Sequence, residues 1–201
     1  MIRLGGWLFR QRTWLPFPLI LALLVVPAPS NASAPACWTI GFACVAAGEA
    51  LRLWGVQHIG VISRTRSDRL GPLVSSGPFS LVRNPLYLGN ILLWVGFTVS
   101  ACLLWLAPIV LVVFAFEYHA IVQWEEQLLE ERLGQVYRSY ASRVPRWVPA
   151  LSAQHVVLAE AAGEGFSWGD TVFSERGTLL AIAGGYLLLF LKEGFYRFKW
   201  F

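Results

Sequence analysis

The chain has 201 residues, of which 56% are hydrophobic and 14% are charged, and its formal net charge is +4. A mean hydropathy of +0.56 is too apolar for an ordinary soluble domain and predicts an integral membrane protein. The length suits one compact helix bundle. The basic residues stand beside apolar runs, which favours anionic lipid headgroups over nucleic acid as neighbours, and the sequence contains no nucleic-acid-binding motif.

The first apolar run covers residues 14–26, contains Pro16 and Pro18, and follows three arginines. A basic start, a short apolar core and the sequence Ala32-Ser33-Ala34 also fit a secretory signal. Pro35 would hinder cleavage after Ala34, so the favoured interpretation is a short first span inside a bundle.

The second apolar run, residues 36–56, predicts a transmembrane helix. Glu49 and Arg52 share one face of this helix and are expected to form an ion pair; a ligand-binding role is the less favoured alternative. The loop that follows contains four arginines: Arg64, Arg66, Arg69 and Arg83. By the positive-inside rule, this loop and the N-terminus are predicted to be cytoplasmic.

Residues 86–100 and 103–116 are two apolar runs with a brief break between them, which predicts a tight helical hairpin. The hairpin returns the chain to its starting side, so Glu125-Glu126 should lie on the same side as Arg83-Asn84. Glu117 falls where the second helix leaves its apolar region, and a carboxylate at that depth is a functional candidate.

The remaining segments are more polar. Apolar residues recur at three- and four-residue steps over residues 124–142, which predicts an amphipathic helix on the bundle or the membrane surface. Two prolines predict that residues 144–149 are extended and cross a pocket. A short helix is expected near residues 153–162. Residues 179–191 are interpreted as a short fifth span, with a re-entrant or interfacial segment as the alternative.

Metal and disulfide sites are not expected. Cys37, Cys44 and Cys102 are odd in number and lie in apolar stretches, so we expect small core residues. The three histidines are isolated in sequence, and no His, Cys, Asp or Glu cluster has metal-ligand spacing.

One stretch connects the basic loop to an apolar helix: Gly77-Pro78-Phe79-Ser80-Leu81-Val82-Arg83-Asn84-Pro85-Leu86-Tyr87-Leu88-Gly89-Asn90. Pro85 suits the first turn of a helix and places Asn84 where it can cap that helix. Polar side chains then surround a helix N-terminus, which attracts anionic groups. By itself, this stretch is equally typical of ordinary capping and interfacial anchoring.

A second polar block follows: Glu125-Glu126, Leu128, Leu129, Leu133-Gly134, Tyr137, Tyr140 and Val144-Pro145-Arg146-Trp147-Val148-Pro149. Together the two blocks resemble bacterial integral-membrane methyltransferases of the isoprenylcysteine carboxyl methyltransferase and phospholipid methyltransferase family. The family pattern has Gly-Pro-Tyr, Arg-His-Pro-x-Tyr-x-Gly, a helical hairpin, Glu-Glu-x-x-Leu, Gly-x-x-Tyr-x-x-Tyr and Val-Pro-Arg-hydrophobic-Pro. The match covers roughly residues 70–149, and Asn84 departs from it because many members carry histidine there.

The resemblance implies an all-α polytopic membrane helix bundle with four to five transmembrane helices and a cytoplasmic amphipathic helix. Residues 1–201 would form one domain, with a cofactor-binding core at 70–149 and a C-terminal extension at 150–201. The implied reaction is methyl transfer from S-adenosylmethionine to a lipophilic or amphiphilic carboxylate or amine. The acceptor would enter from the bilayer of a bacterial inner membrane, with the cofactor site on the cytoplasmic side.

The resemblance also implies a set of site residues. Those expected to bind the cofactor are Asn84, Pro85, Tyr87, Gly89, Glu126, Tyr137 and Tyr140. Glu126 would hold the cofactor ammonium, Gly89 would allow close approach to the helix backbone, and the two later tyrosines would line the adenosine side. The expected catalytic residues are Glu125, Arg146 and Glu117. Arg146 would bind a carboxylate, and either glutamate would serve as the base for an amine acceptor.

Two other functions remain open at this point. A membrane reductase of the sterol reductase type has similar C-terminal helices and binds NADPH, whose phosphates the loop arginines would contact. A non-enzymatic membrane scaffold would use its polar clusters only to anchor helix ends. Ligand-dependent melting separates these functions, because a scaffold should ignore both cofactors.

Overall fold

The computed structural model describes residues 1–29, 34–60, 73–150 and 166–199, and every regular element in these ranges is helical. The helices are α1 (Ile2–Gln11), α2 (Phe17–Val25), α3 (Ala34–Ile59), α4 (Pro85–Ser100), α5 (Ala107–Leu133), α6 (Gln135–Ala141) and α7 (Trp168–Lys199), with a short 3-10 turn at Gly77–Ser80. Within these ranges, α3, α5 and α7 are long and apolar enough to cross a membrane, and α4 is a shorter apolar helix. The predicted all-α membrane bundle is confirmed.

Helices α3 and α4 pack antiparallel through matched glycines. A Cβ on Gly48 would lie 2.7 Å from the Gly89 carbonyl oxygen, and one on Gly96 would lie 2.8 Å from the Gly41 carbonyl oxygen. Glycines at such contacts let two membrane helices bring their backbones together. We call the end of the bundle where α4 begins the proximal end, and the end where α4 finishes the distal end.

The N-terminal region differs from the predicted single span over residues 14–26. Helix α2 has nine residues, and at 1.5 Å per residue it is too short to cross a bilayer. Helix α1 packs on the proximal half of α5, where Gly5 lies against Ala120, and α2 continues to the distal end, where Leu23 packs against Leu103. Pro16 and Pro18 lack N–H groups and interrupt the hydrogen bonding of the helix. The N-terminal segment therefore passes from the proximal to the distal end as two helices, α1 and α2.

The predicted amphipathic helix over residues 124–142 is not a separate element. Helix α5 continues through the apolar run to Leu133, and Gly134 ends it with a φ of 53° before the short α6 begins. Glycine is the residue that adopts this conformation at least cost. The Glu125-Glu126 pair is therefore carried on the same rigid helix as the membrane span.

Helix α7 is much longer than the predicted run at 179–191. It starts beside the end of α3, where the Phe166 N–H donates to the Gln57 carbonyl oxygen at 2.9 Å. At the distal end, Lys192 Nζ donates to the Leu23 carbonyl oxygen at 2.6 Å. The helix thus extends from one end of the bundle to the other, as a span requires. The expected helix near 153–162 and the three arginines at positions 64, 66 and 69 lie outside the described residues.

The cysteine prediction is wrong for two of the three residues. Cys37 and Cys102 are buried as expected, but they form a disulfide, with their Cα atoms 5.4 Å apart, while Cys44 is free. The antiparallel packing of α3 and α4 brings the first turn of α3 to the turn that follows α4. Spacing alone gives no sign of this pairing, because 65 residues separate the two cysteines.

Candidate functional site

A non-helical strap, residues 144–150, fixes the polar site at the proximal end. The Arg83 N–H donates to the Pro145 carbonyl oxygen at 2.9 Å, and the Ala150 N–H donates to the Leu81 carbonyl oxygen at 3.0 Å. The segment contains no helix, as its prolines predict, but its backbone bends at residues 144 and 146–148 and does not run extended throughout. These two hydrogen bonds hold the strap against the segment that leads into α4.

Asn84 occupies the N-cap position of α4, but it makes no side-chain capping hydrogen bond. Its Nδ2 instead donates to the Arg146 carbonyl oxygen at 3.2 Å. The expected capping role is therefore wrong, because the amide faces the strap. Pro85 does begin the helix as predicted.

Glu126 lies between two arginines. Arg146 donates through Nε at 3.1 Å to each carboxylate oxygen and through Nη2 at 2.6 Å to Oε2, while Arg83 Nη1 lies 3.0 Å from Oε1. The Glu126 side chain is only 13% exposed. Hydrogen bonding to Glu126 raises the pKa of the Arg146 guanidinium, although burial opposes this shift. The triad carries two positive charges and one negative charge.

A pocket of about 600 Å³ opens beside this triad. Its lining residues are Ile2, Arg83, Gln123, Glu126, Gln127, Glu130, Tyr137, Arg138, Ala141, Ser142 and Arg146. Arg83 Nη1 also donates to the Tyr137 hydroxyl at 3.4 Å. Burial raises the pKa of Tyr137 to about 12, so its hydroxyl keeps its proton at neutral pH. The pocket thus combines charged, hydrogen-bonding and aromatic groups.

Glu125 faces away from this pocket, since successive helix residues point about 100° apart. Its Oε1 accepts a hydrogen bond from the Tyr87 hydroxyl at 2.9 Å. The Tyr87 ring packs on Tyr118 of α5, with the ring centroids 5.0 Å apart. Tyr87 and Glu125 thus form a second polar pair, between α4 and α5, and Glu125 directly precedes Glu126 of the triad in sequence.

Three of the ten expected site residues, Glu126, Tyr137 and Arg146, line the pocket, and the other seven do not. Asn84, Pro85, Tyr87 and Glu125 lie at the start of α4 or between α4 and α5, and the remaining three are further away. Gly89 faces α3, and a Cβ there would lie 2.6 Å from Arg52 Cγ. Tyr140 is buried, and its hydroxyl donates to the Phe79 carbonyl oxygen at 2.7 Å. Glu117 lies nine residues before Glu126, about 13 Å along α5. It is 5% exposed, and its Oε1 has no hydrogen-bond partner among the described residues.

Sequence reasoning assigned no site role to Arg83, which lines the pocket, or to His119, which contacts the strap and the pocket residue Gln123. Arg83 was grouped with the helix start but given no role, although it directly precedes Asn84-Pro85 in the motif. His119 looked isolated in sequence, yet its Nδ1 accepts from Trp147 Nε1 at 3.2 Å, and its Nε2 lies 2.8 Å from Gln123 Nε2. The ranges that the structure describes contain no group of three His, Cys, Asp or Glu residues able to hold a metal ion.

Comparison with known proteins defines the class. The profile of the phospholipid methyltransferase family matches residues 36–136, half of the chain. The chain belongs to this family, whose defining chemistry is methyl transfer, and the resemblance drawn from the two sequence blocks is confirmed. The match ends before the strap and α7 and begins after α1 and α2.

Two curated proteins are similar to part of the chain. The nickel-cobalt-cadmium resistance protein NccN of Alcaligenes xylosoxydans xylosoxydans is 32% identical over 114 residues, which is 57% of this chain and 50% of that protein. The cobalt-zinc-cadmium resistance protein CzcN of Cupriavidus metallidurans is 30% identical over 118 residues, 59% of this chain and 51% of that protein. The chain thus spans about half the length of these relatives. No solved structure matches it significantly.

Proposed function

We propose that this protein transfers a methyl group from S-adenosylmethionine to a lipophilic or amphiphilic acceptor, a carboxylate or an amine, at the membrane. The observation that carries the proposal is the Arg83–Glu126–Arg146 triad beside a pocket of about 600 Å³. Pockets of this volume are typical of small-molecule and cofactor sites.

The triad fits the amino-acid end of S-adenosylmethionine, which carries an ammonium and a carboxylate. Glu126 supplies the anion for the ammonium, and the two arginines supply planar donor groups for the carboxylate. Arg146 is the more accessible partner, because its side chain is 32% exposed whereas that of Arg83 is 14% exposed. The Tyr137 hydroxyl and ring provide a further contact on the pocket wall.

When bound, S-adenosylmethionine would supply an electrophilic methyl group attached to a sulfonium. The acceptor lone pair would bond to the methyl carbon while the carbon–sulfur bond breaks and leaves its electron pair on sulfur. The protein's contribution is mainly positioning, since aligned reactants gain several kcal/mol over free encounter. A carboxylate acceptor needs no base. An amine must lose a proton, and Glu125 is the candidate base for an acceptor that enters between α4 and α5, where its carboxylate lies hydrogen-bonded to Tyr87. Glu117, deeper on α5, is the second candidate.

The proposed reaction is tested with purified protein, methyl-labelled S-adenosylmethionine and a bacterial lipid extract. At a cofactor concentration below the wild-type Kd, we expect label in the organic phase with the wild-type protein and at most about a tenth of that amount with Glu126→Gln. Equal labelling by both proteins, or none by a wild-type protein that is folded, would contradict the proposal.

We further propose that the proximal end, with the pocket, faces the cytoplasm of a bacterial inner membrane. The basic loop before α4 supports this orientation through the positive-inside rule. The Cys37–Cys102 disulfide supports it independently, because it lies at the distal end and disulfides persist in oxidising compartments.

This orientation predicts the location of the C-terminal end of α7. A reporter fused after residue 199 should lie outside the cytoplasm, because α7 runs from the proximal to the distal end. Alkaline phosphatase at that position should be active, and green fluorescent protein there should be dark. An inactive alkaline phosphatase and a fluorescent green fluorescent protein at this position would contradict the proposed orientation.

The departure from the family motif gives another prediction. We expect Asn84→His to bind cofactor within about threefold of wild type, because an imidazole N–H can replace the amide donor to the Arg146 carbonyl oxygen. Asn84→Ala, which offers no donor, should bind more weakly, since the strap loses this hydrogen bond. Calorimetric titration of the two variants checks the order. A histidine variant weaker than the alanine variant would show that the pocket has diverged from the family.

A further inference from the structure

Arg52 of α3 joins three helices in the bundle interior. Its guanidinium donates to Asn90 Oδ1 of α4 and to Glu175 Oε2 of α7. It also lies 3.3 Å from Thr178 Oγ1 of α7 and 3.3 Å from Glu49, the expected ion-pair partner on its own helix. The side chains of this arginine and its two acidic partners are all at most 14% exposed.

The charges of this cluster make it a strong link to α7. One guanidinium faces two buried carboxylates, and its hydrogen-bonded ion pair with Glu175 is the contact that joins α3 to α7. Removing one partner of a buried hydrogen-bonded pair is costly because it leaves the other group's hydrogen bond unmade. Glu175 lies beyond residue 136, where the family match ends. A helix outside the matched region therefore supplies a charge to an arginine inside it.

The same arginine sets the position of the first turns of α4. The stem of Arg52 packs directly on Gly89, where a Cβ would lie 2.6 Å from Arg52 Cγ, and its head group holds the next residue, Asn90. Tyr87 stands one turn or less away and donates to Glu125. A chain of contacts therefore connects Arg52, through the first turns of α4, to Glu125, the residue next to Glu126.

We propose that Arg52 is a positioning residue for the cofactor pocket and that Glu175 holds it in place. Helix α7 then contributes to cofactor binding through Glu175, in addition to spanning the membrane. This inference rests on the proposed function, because the ligand used to test it is the product of that reaction.

The test is calorimetric titration of the full-length protein in detergent with S-adenosylhomocysteine, comparing Glu175→Gln with Glu193→Gln. Both variants remove one charge from α7. Glu193 accepts from Trp38 of α3 at 3.1 Å, but it lies 18 residues further along the helix, about 27 Å away. We expect Glu175→Gln to raise Kd at least fivefold with unchanged stoichiometry, and Glu193→Gln to stay within twofold of wild type.

Stoichiometry separates positioning from folding, because a purely structural defect lowers the competent fraction and leaves Kd unchanged. Arg52→Lys should also raise Kd, since an ammonium cannot bridge Asn90 and Glu175 as a planar guanidinium does. If Glu175→Gln does not fold, Glu175→Asp keeps the charge but withdraws it from Arg52, and the same rise in Kd is expected.

The inference is overturned if the position-175 variant that folds binds with the wild-type Kd, or if Glu193→Gln weakens binding equally. In either case the wild-type protein still binds, so the proposed function survives. Absence of binding by the folded wild-type protein would overturn both.

Discussion

Glu126→Gln is expected to weaken binding of S-adenosylmethionine by about 1.5 to 3 kcal/mol, which is roughly 10- to 150-fold in Kd. Glutamine keeps the shape of the side chain but removes the charge that faces the cofactor ammonium. It also leaves Arg83 and Arg146 without their shared counter-charge, so both guanidiniums repel the ammonium and sulfonium groups. Isothermal titration calorimetry measures the change directly.

Glu130→Gln is the matched control for this prediction. Glu130 is on the same helix and lines the same pocket, but its ion pair with Arg138 is exposed, with side-chain exposures of 49% and 57%. Exposed pairs of this kind contribute little. We expect an affinity within about twofold of wild type. Equal losses for the two variants would mean that the pocket responds to net charge alone, and an unchanged Glu126→Gln would remove Glu126 from the site.

Gly89→Ala is expected to destabilise the protein by about 1 to 3 kcal/mol, the usual cost of overpacking a tight interior. The added Cβ would lie 2.6 Å from Arg52 Cγ and 2.7 Å from the Gly48 carbonyl oxygen. The second contact is to the backbone, which cannot turn aside as a flexible side chain can. Helices α3 and α4 must therefore separate, which also disturbs the start of α4 at the site.

The control is Gly184→Ala on α7, where an added Cβ meets nothing within 4 Å. Alanine favours helix over glycine, so this variant should unfold at the wild-type temperature or slightly above it. Thermal unfolding in detergent, followed by tryptophan fluorescence, compares the two. A Gly89→Ala protein as stable as Gly184→Ala would contradict the close packing of α3 on α4.

Local patterns in the sequence predicted much of the fold. Pro85 marked the start of α4 because proline fits the first turn of a helix but disrupts its interior. The 36–56 run predicted the span of α3, and three-residue spacing predicted the Glu49–Arg52 ion pair. The helical hairpin placed Glu126 near Arg83, because two antiparallel helices with a short connection return to the same side.

Contacts between residues far apart in sequence could not be predicted in the same way. The distances of Cys37 from Cys102 and of Arg52 from Glu175 depend on how whole helices pack, which no local spacing encodes. The resemblance placed Gly89 at the cofactor, whereas its structural neighbour is α3. All the site roles stay predictions, and seven of the ten residues do not line the pocket beside the triad: Asn84, Pro85, Tyr87, Gly89, Glu117, Glu125 and Tyr140.

The affinity of detergent-purified protein for S-adenosylmethionine, S-adenosylhomocysteine and NADPH, measured in parallel by calorimetry, tests the methyltransferase site most directly. We expect the first two to bind at one site per chain and NADPH not to bind. Binding of NADPH alone would instead indicate a reductase, and no binding by the folded protein would indicate a scaffold. Either result would contradict a methyltransferase site at the Arg83–Glu126–Arg146 triad.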